Sequence, residues 1–381
     1  MAVHSEPSEA QLSTEGYLRK TVLEHLERCI QCHRCLDACP VTKDSFSIQH
    51  LNQATKEDQP VPPMIRQFTF HCTQCGKCVP VCPVNIRRDL MMRFLKWKMR
   101  DQKPWGYRRY LLVKGPNLTS LKAIIQKLYV STKKIMSRDL ARFMEEAPVK
   151  KADVLFYPGC YIYSIQTVRQ TLRLLNHIGE RYAVLGGVTT CCGAPHLLQG
   201  EFDQADDCLR LLHEKIKAID PKIVITSCAE CFEAVGHVKK MYNEHFEVLS
   251  VVEYLLRYKN KFLNRKIRGK ITVHDSCRFK KESPQGVAVR TTAQMFGDLV
   301  EQKTPQGSSC CYQWNHGCDP ANEPRRLQYL AEVQKDAPTL VCTCLTCYEQ
   351  LKKTQTAVDI IDVLQLFEEA LDAAESTEQK P

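Results

Sequence analysis

Eight cysteines fall in two runs of identical spacing, Cys29-x2-Cys32-x2-Cys35-x3-Cys39-Pro40 and Cys72-x2-Cys75-x2-Cys78-x3-Cys82-Pro83. Four thiols crowded into eleven residues, twice, constrain the fold more than any other feature of the chain. Such thiols either pair with one another or gather round metal. Disulfides fit badly. The chain has 21 cysteines, an odd number, in 381 residues, and secreted disulfide scaffolds are much smaller. Residues Met1 to Ala10 are polar and acidic and lack the apolar core of a secretion signal. Metal is therefore the expected partner. A tight loop can present several closely spaced thiolates of each run to one centre. The proline after the fourth cysteine helps end the loop.

This spacing resembles the bacterial two-cluster iron–sulfur run. The resemblance implies that Cys29, Cys32, Cys35 and Cys82 hold one [4Fe–4S] cubane, and that Cys72, Cys75, Cys78 and Cys39 hold a second. Tetrahedral zinc is the other reading of CxxC pairs, although zinc sites usually set their pairs further apart. A small module with two cubanes suits a one-electron relay. The 32 residues between the runs, with Pro60, Pro62 and Pro63, exceed the spacing of a minimal ferredoxin and offer a docking surface. Residues 16–28 read as a helix, with Leu18, Val22 and Leu26 on one face.

From Ala152 the pattern changes. The apolar runs Val154–Phe156, Ile223–Ile225, Ile271–Val273 and Thr339–Val341 each precede a cysteine, and helical patterns separate them. That alternation predicts parallel α/β packing. Cys160, Cys191, Cys192, Cys228 and Cys231 recur as Cys277, Cys310, Cys311, Cys344 and Cys347, at offsets of 117, 119, 119, 116 and 116. Five cysteines in one register mark two duplicated modules.

The first copy, with Tyr157-Pro158-Gly159-Cys160 and Cys191-Cys192-Gly193, resembles the cysteine-rich "CCG" domain. That family includes the catalytic subunit of heterodisulfide reductase and the iron–sulfur subunits of anaerobic glycerol-3-phosphate dehydrogenase and glycolate oxidase. The whole layout resembles fused small and catalytic subunits of heterodisulfide reductase. The resemblance implies one or two further [4Fe–4S] clusters of noncubane type. One would be held by Cys160, Cys191, Cys192, Cys228 and Cys231, the other by Cys277, Cys310, Cys311, Cys344 and Cys347. Tyr312 stands where the motif has glycine, so occupancy of the second copy does not follow from the motif. Gly317-Cys318 is a conceivable substitute, but a spare buried cysteine is the commoner case.

The resulting expectation is an α+β ferredoxin-like, largely helical N-terminal module followed by two tandem α/β cysteine-rich modules. Its parts are a disordered tail (1–15), the two-cluster domain (16–100), a basic helical connector (101–151), the two cysteine-rich modules (152–268 and 269–371) and a C-terminal tail (372–381). The implied function is an iron–sulfur electron-transfer subunit of a heterodisulfide-reductase-like complex. The alternative is the iron–sulfur subunit of an anaerobic glycerol-3-phosphate, glycolate or lactate dehydrogenase delivering electrons toward quinone. No catalytic residue is assigned. His274 and Asp275 stand where they could move protons, against the plainer reading of a strand-end polar pair. His71 and His196 flank cysteines as supporting donors. Cys208 and Cys342 read as core.

The net charge of +10 is localised: Arg87 to Lys151 holds 18 Lys/Arg against 5 Asp/Glu. This stretch reads as a solvated basic connector that could touch a membrane anchor. No nucleic-acid module accompanies it. There is no GxGxxG and no P-loop, so hydride chemistry would need a flavin-bearing partner protein. No stretch approaches the roughly 18 apolar residues of a membrane span. The expected location is cytoplasmic, with peripheral membrane contact at most.

Overall fold

The computed structural model describes residues 14–41, 46–56, 60–102, 151–159, 165–186, 190–262, 265–302, 310–311 and 320–378. Cys160, Tyr312, Gly317, Cys318 and most of the expected N-terminal tail and basic connector lie outside the described residues.

Among the described residues of 14–102 the α-helices are α1 (Thr14–Glu27), α2 (Arg34–Asp37), α3 (Ile48–Lys56), α4 (Pro63–His71) and α5 (Arg88–Lys98), joined by loops. In α1 the expected face is turned inward, with Leu18 and Val22 buried. Pro63 begins α4 at a position where its missing N–H costs nothing. Helices α3, α4 and α5 share a core of Ile48, Leu51, Ile65, Phe68, Met92 and Leu95. The inter-run segment thus folds inward as α3 and α4.

Helix α5 departs from expectation. It opens the basic stretch read as solvated, yet Arg88, Arg93 and Lys96 are all buried. The reason is packing on two sides, against α3 and α4 on one and against the following domain on the other. Trp97 stacks on Phe202 of the following domain at 6.2 Å. The α5 backbone also lies so close to Gly200 that a Cβ there would sit 2.3 Å from the Trp97 nitrogen.

The rest of the chain forms two four-stranded sheets, every pairing parallel. The first holds β1 (Val154–Gly159), β2 (Tyr182–Gly186), β3 (Ile223–Thr226) and β4 (Glu247–Ser250) in the order β2-β1-β3-β4. The second holds β5 (Lys270–His274), β6 (Asp298–Leu299), β7 (Thr339–Cys342) and β8 (Asp359–Asp362) in the matching order β6-β5-β7-β8. The helices around the first sheet are α6 (Ile165–His177), α7 (Ala194–Leu198), α8 (Phe202–Ile219), α9 (Ala229–Met241) and α10 (Val251–Leu256). Those around the second are α11 (Pro284–Phe296), α12 (Asn322–Asp336), α13 (Leu345–Leu351) and α14 (Val363–Glu378). All four expected apolar runs are strands, and they are the two central strands of each sheet.

The two copies are not separate beads. Phe156, Ile225 and Leu249 of the first sheet and Val273, Val341 and Ile361 of the second belong to one apolar core. Tyr254, Phe296 and Phe367 belong to it too. Among the described residues no helix is long and apolar enough to cross a membrane.

Candidate metal centres

The two N-terminal cysteine runs fold into equivalent loops. Gln31 and Gln74, each two residues after the first cysteine, have φ of 56° and 52°. His33 and Gly76, each after the second cysteine, have φ of 62° and 74°. Three of these four are not glycine, so the left-handed backbone is strained and must be held by its surroundings. The turn then closes the same way, with Cys39 N–H donating to Leu36 O at 3.0 Å and Cys82 N–H to Val79 O at 3.2 Å.

Cys29, Cys32, Cys35 and Cys82 line one cavity, shared with Ile48, Arg88 and Cys78. Cys29 is held by three donors. Asn52 Nδ2 is 3.3 Å from its sulfur, Arg88 Nη2 is 3.5 Å away, and the Gln31 N–H also reaches it. Burial works to raise the thiol, but these donors outweigh it and hold Cys29 below its ordinary value. Ile86 N–H reaches Cys82 Sγ at 3.3 Å.

Cys39, Cys72, Cys75 and Cys78 form the second group, each close enough to act electrostatically on its neighbours. Burial pushes Cys72 up to about 12, against the pull of the Lys96 ammonium. Lys96 Nζ donates to the Cys72 carbonyl at 3.1 Å, and Gln74 N–H to the Cys72 sulfur at 3.4 Å. Cys29, Cys32, Cys35 and Cys82 thus lie round one cavity, which Cys78 also lines, and Cys39 lies within electrostatic reach of Cys72 and Cys78.

In the α/β half, each CxxC begins a helix. Cys228 is the N-cap of α9 and Cys344 the N-cap of α13, each following a central strand. The free N–H groups at the start of α13 favour thiolate at Cys344. In the first copy Cys231 hydrogen-bonds to Cys192 and Cys228, and Cys191 is buried nearby in sequence. Gly159, with φ of 79°, lets the chain pass close: a Cβ there would lie 2.5 Å from Cys231 Sγ. In the second copy all five cysteines converge. Cys347 bonds to Cys311 and Cys344, while Cys277 feels Cys311 and Cys344. Cys310 feels Cys311 and Cys277. The Cys347 thiol and the N–H groups of Cys347, Ala229 and Thr346 pull Cys344 down to about 7.

Across the molecule, the side chains of Cys75 and Cys310 hydrogen-bond to each other. The N-terminal set thus abuts the second cysteine-rich set. A buried ionic group lies alongside. Arg278, next to Cys277, donates to Glu230 at 2.9 Å and lies 3.5 Å from Glu233. Burial opposes the charge on Arg278, but these carboxylates keep it protonated. Among the described residues no three His, Cys, Asp or Glu converge where a single metal ion would sit.

The remaining candidates take structural places. Asp275 is forked by Arg290 at 2.8 Å on both oxygens. His274 Nδ1 lies 2.8 Å from Tyr329 Oη, and burial lowers His274 to about 4. Cys208 is buried on α8 and Cys342 on β7. His196 is buried on α7 and His71 ends α4. Sequence reasoning missed Asn52, Arg88, Lys96 and Arg278. Only the position of Arg278 beside Cys277 could have flagged one of them.

Comparison with known proteins agrees with these patterns. Residues 25–86 match the 4Fe-4S dicluster domain, and residues 154–236 match the cysteine-rich domain. The chain is 27% identical over 247 residues to one subunit of the dihydromethanophenazine:CoB–CoM heterodisulfide reductase of Methanosarcina mazei, covering 58% of this chain and 59% of that one. It is 22% identical over 303 residues to one subunit of the fumarate reductase (CoM/CoB) of Methanothermobacter marburgensis, covering 75% and 58%. An uncharacterized iron–sulfur protein of Methanocaldococcus jannaschii is 30% identical over 143 residues, covering 35% and 27%. The chain spans less than two thirds of the length of these relatives. The two cysteine patterns, the domains that they match and these relatives together support a place among the iron–sulfur oxidoreductases that carry a cysteine-rich CCG domain.

Proposed function

We propose that this chain is an iron–sulfur electron-transfer subunit of a heterodisulfide-reductase-like complex. Cys29, Cys32, Cys35 and Cys82 hold one cubane cluster of a ferredoxin-like module, and Cys39, Cys72, Cys75 and Cys78 hold the other. The cysteine-rich copies take further clusters of noncubane type, at Cys160, Cys191, Cys192, Cys228 and Cys231 and at Cys277, Cys310, Cys311, Cys344 and Cys347. Bound iron–sulfur clusters supply one-electron redox chemistry with little rearrangement.

The observation that carries the reading is the Cys75–Cys310 contact, which sets the dicluster half directly against the cysteine-rich half. Exposure supports a direction of access. Cys32 is exposed, while Cys72, Cys75 and the described cysteines of the CCG copies are buried or half-buried. A partner protein would therefore exchange electrons at the Cys32 loop. Two relatives are named as subunits of reductases, which supports a multi-subunit setting, with a flavin-bearing partner as the source or sink of hydride. A disulfide is the proposed substrate class of the assembled complex.

The test is anaerobic iron counting with EPR: about eight irons per chain means the cubanes alone, and about sixteen means that both cysteine-rich sites are filled. A colourless protein without iron sinks the proposal. Turnover of a disulfide with reduced viologen is expected if the chain is catalytic. Full clusters with no turnover reduce the role to a conduit.

A further inference from the structure

Arg88 is 4% exposed, and its guanidinium faces the cavity lined by Cys29, Cys32, Cys35 and Cys82. Three other buried or half-buried arginines grip carboxylates: Arg278 takes Glu230, Arg290 takes Asp275 and Glu301, and Arg268 takes Glu369 and Asp359; Arg93 bonds to Gln74 and has the charges of Asp89, Glu230 and Glu233 around it. Arg88 grips no carboxylate among the described residues. Its Nη1 donates to Asn52 Oδ1 at 2.7 Å and Met91 Sδ at 2.9 Å, its Nη2 points to Cys29 Sγ at 3.5 Å, and its Nε is buried without a partner. A guanidinium does not lose its proton in a protein, so this charge is permanent. A buried charge with no counter-ion strongly destabilises a fold. The compensating anion must come from the cavity side, where a cluster with four thiolates carries net negative charge.

Asn52 fixes the geometry. Its Oδ1 accepts from Arg88, which leaves Nδ2 as the donor to Cys29 Sγ at 3.3 Å. The three residues close a triangle on one sulfur. Cys72 of the other set is served differently, by a backbone N–H on its sulfur and by Lys96 on its carbonyl.

We propose that Arg88, aligned by Asn52, is the fixed counter-ion of the cluster held by Cys29, Cys32, Cys35 and Cys82, and raises its reduction potential. The proposal rests on the ligand reading above. Reduction adds one negative charge, so a fixed positive charge and sulfur-directed hydrogen bonds stabilise the reduced form. The cluster nearest the solvent-exposed Cys32 then holds an arriving electron more readily than its backbone bonds alone would allow.

The test is an EPR-monitored redox titration of the anaerobically prepared full chain, with iron content measured in parallel and Cys32→Ser used to identify this cluster's signal. Arg88→Gln is expected to lower the reduction equilibrium constant of that signal at least tenfold, about 59 mV for one electron. The second cubane signal stays in place. Arg88→Lys retains most of the parent potential, and Asn52→Ala shifts it by less in the same direction. An iron-loaded Arg88→Gln protein with an unmoved signal overturns the proposal, as do equal shifts in the Gln and Lys variants, which would mark shape rather than charge. If Arg88→Gln fails to load iron, Asn52→Ala decides: a downward shift supports the proposal and no shift overturns it. Parent protein without iron at these cysteines overturns the ligand reading instead.

Discussion

The two cysteine-rich copies have the same strand order and the same N-cap cysteine, but their sulfurs have different neighbours. In the first copy Cys192, Cys228 and Cys231 sit in a core of that copy's own residues, with Leu155, Tyr157, Leu209 and Leu212. In the second, Cys311, Cys344 and Cys347 pack with Ala229 and Phe232 of the first copy, and Cys310 meets Cys75 of the N-terminal module. Duplication preserved the frame, and docking decided what surrounds each site. The first site is enclosed, while the second is built from all three parts of the chain. That difference predicts different sensitivities to substitution.

The largest effect is expected at Gly159. Its φ is 79°, and an added Cβ would stand 2.5 Å from Cys231 Sγ. Gly159→Ala should abolish iron binding at the first site and leave the second site and the cubanes loaded. Iron content and EPR check this, and simultaneous loss at the second site would show that the copies do not fold independently around their sulfurs. Next comes the ionic contact of the second site. The Arg278 and Glu230 side chains are 5% and 9% exposed, and the pair joins the two copies. Arg278→Ala leaves buried carboxylate without its partner, and should cost about 3–5 kcal/mol. Thermal unfolding of the iron-loaded protein measures it, with an earlier loss of the second site's signal than of the first.

The contrast between centre and edge also explains what the sequence revealed. The four apolar runs seen in advance are β1, β3, β5 and β7, which lie at the centre of their sheets and are buried on both faces. Continuous apolar runs are what such strands require. Two of the edge strands carry no such mark, since β4 is Glu-Val-Leu-Ser and β6 is only two residues long, whereas the edge strand β2, Tyr-Ala-Val-Leu-Gly, is as apolar and escaped notice. The ligand spacing was legible because a loop that wraps a cluster fixes local separations. The Cys75–Cys310 contact spans 235 residues and left no local trace. The basic stretch misled for a related reason. Charge counts do not show which cations are turned inward: Arg88 meets Asn52, Met91 and Cys29 of its own module, Arg93 meets Gln74, and Lys96 lies beside Gly200 of the domain that follows.

A smaller difference lies at the ends of β4 and β8. Each is followed by a helix whose first turn must be capped. Ser250 caps α10 in a reciprocal box with Glu253, at 3.2 Å and 2.8 Å. In the second copy Asp362 does the work, accepting from Leu364 N–H at 2.9 Å while buried. Burial raises this carboxyl from 3.8 to about 6, against the pull of that N–H bond. A value raised on folding means that the stabilising contribution is complete below about pH 3.8 and is lost as pH rises through about 6. At about 1.4 kcal/mol per unit, the loss is up to about 3 kcal/mol. Asp362→Ser should remove this pH dependence, making the second copy resemble the first. Unfolding curves at pH 4 and pH 7 check it, and an unchanged pH slope in the variant would refute the assignment.

The smallest effect is expected at the residue equivalent to Gly159. An offset of 117 places Ser276 before Cys277, where the first copy has glycine before Cys160. Ser276 Oγ accepts from Phe279 N–H at 2.8 Å and Arg278 N–H at 3.3 Å, while its own N–H donates to Thr343 Oγ1 at 3.2 Å. The hydroxyl therefore organises the start of its loop, at a position where the first copy has the left-handed Gly159. Ser276→Ala keeps the backbone bond to Thr343 and strips the acceptor from two N–H groups, a cost of about 1–2 kcal/mol. Iron at the second site should stay. Loss of that iron from a protein that remains folded would mean that the hydroxyl touches the bound group itself. The two copies would then differ in how they hold their clusters as well as in what surrounds them.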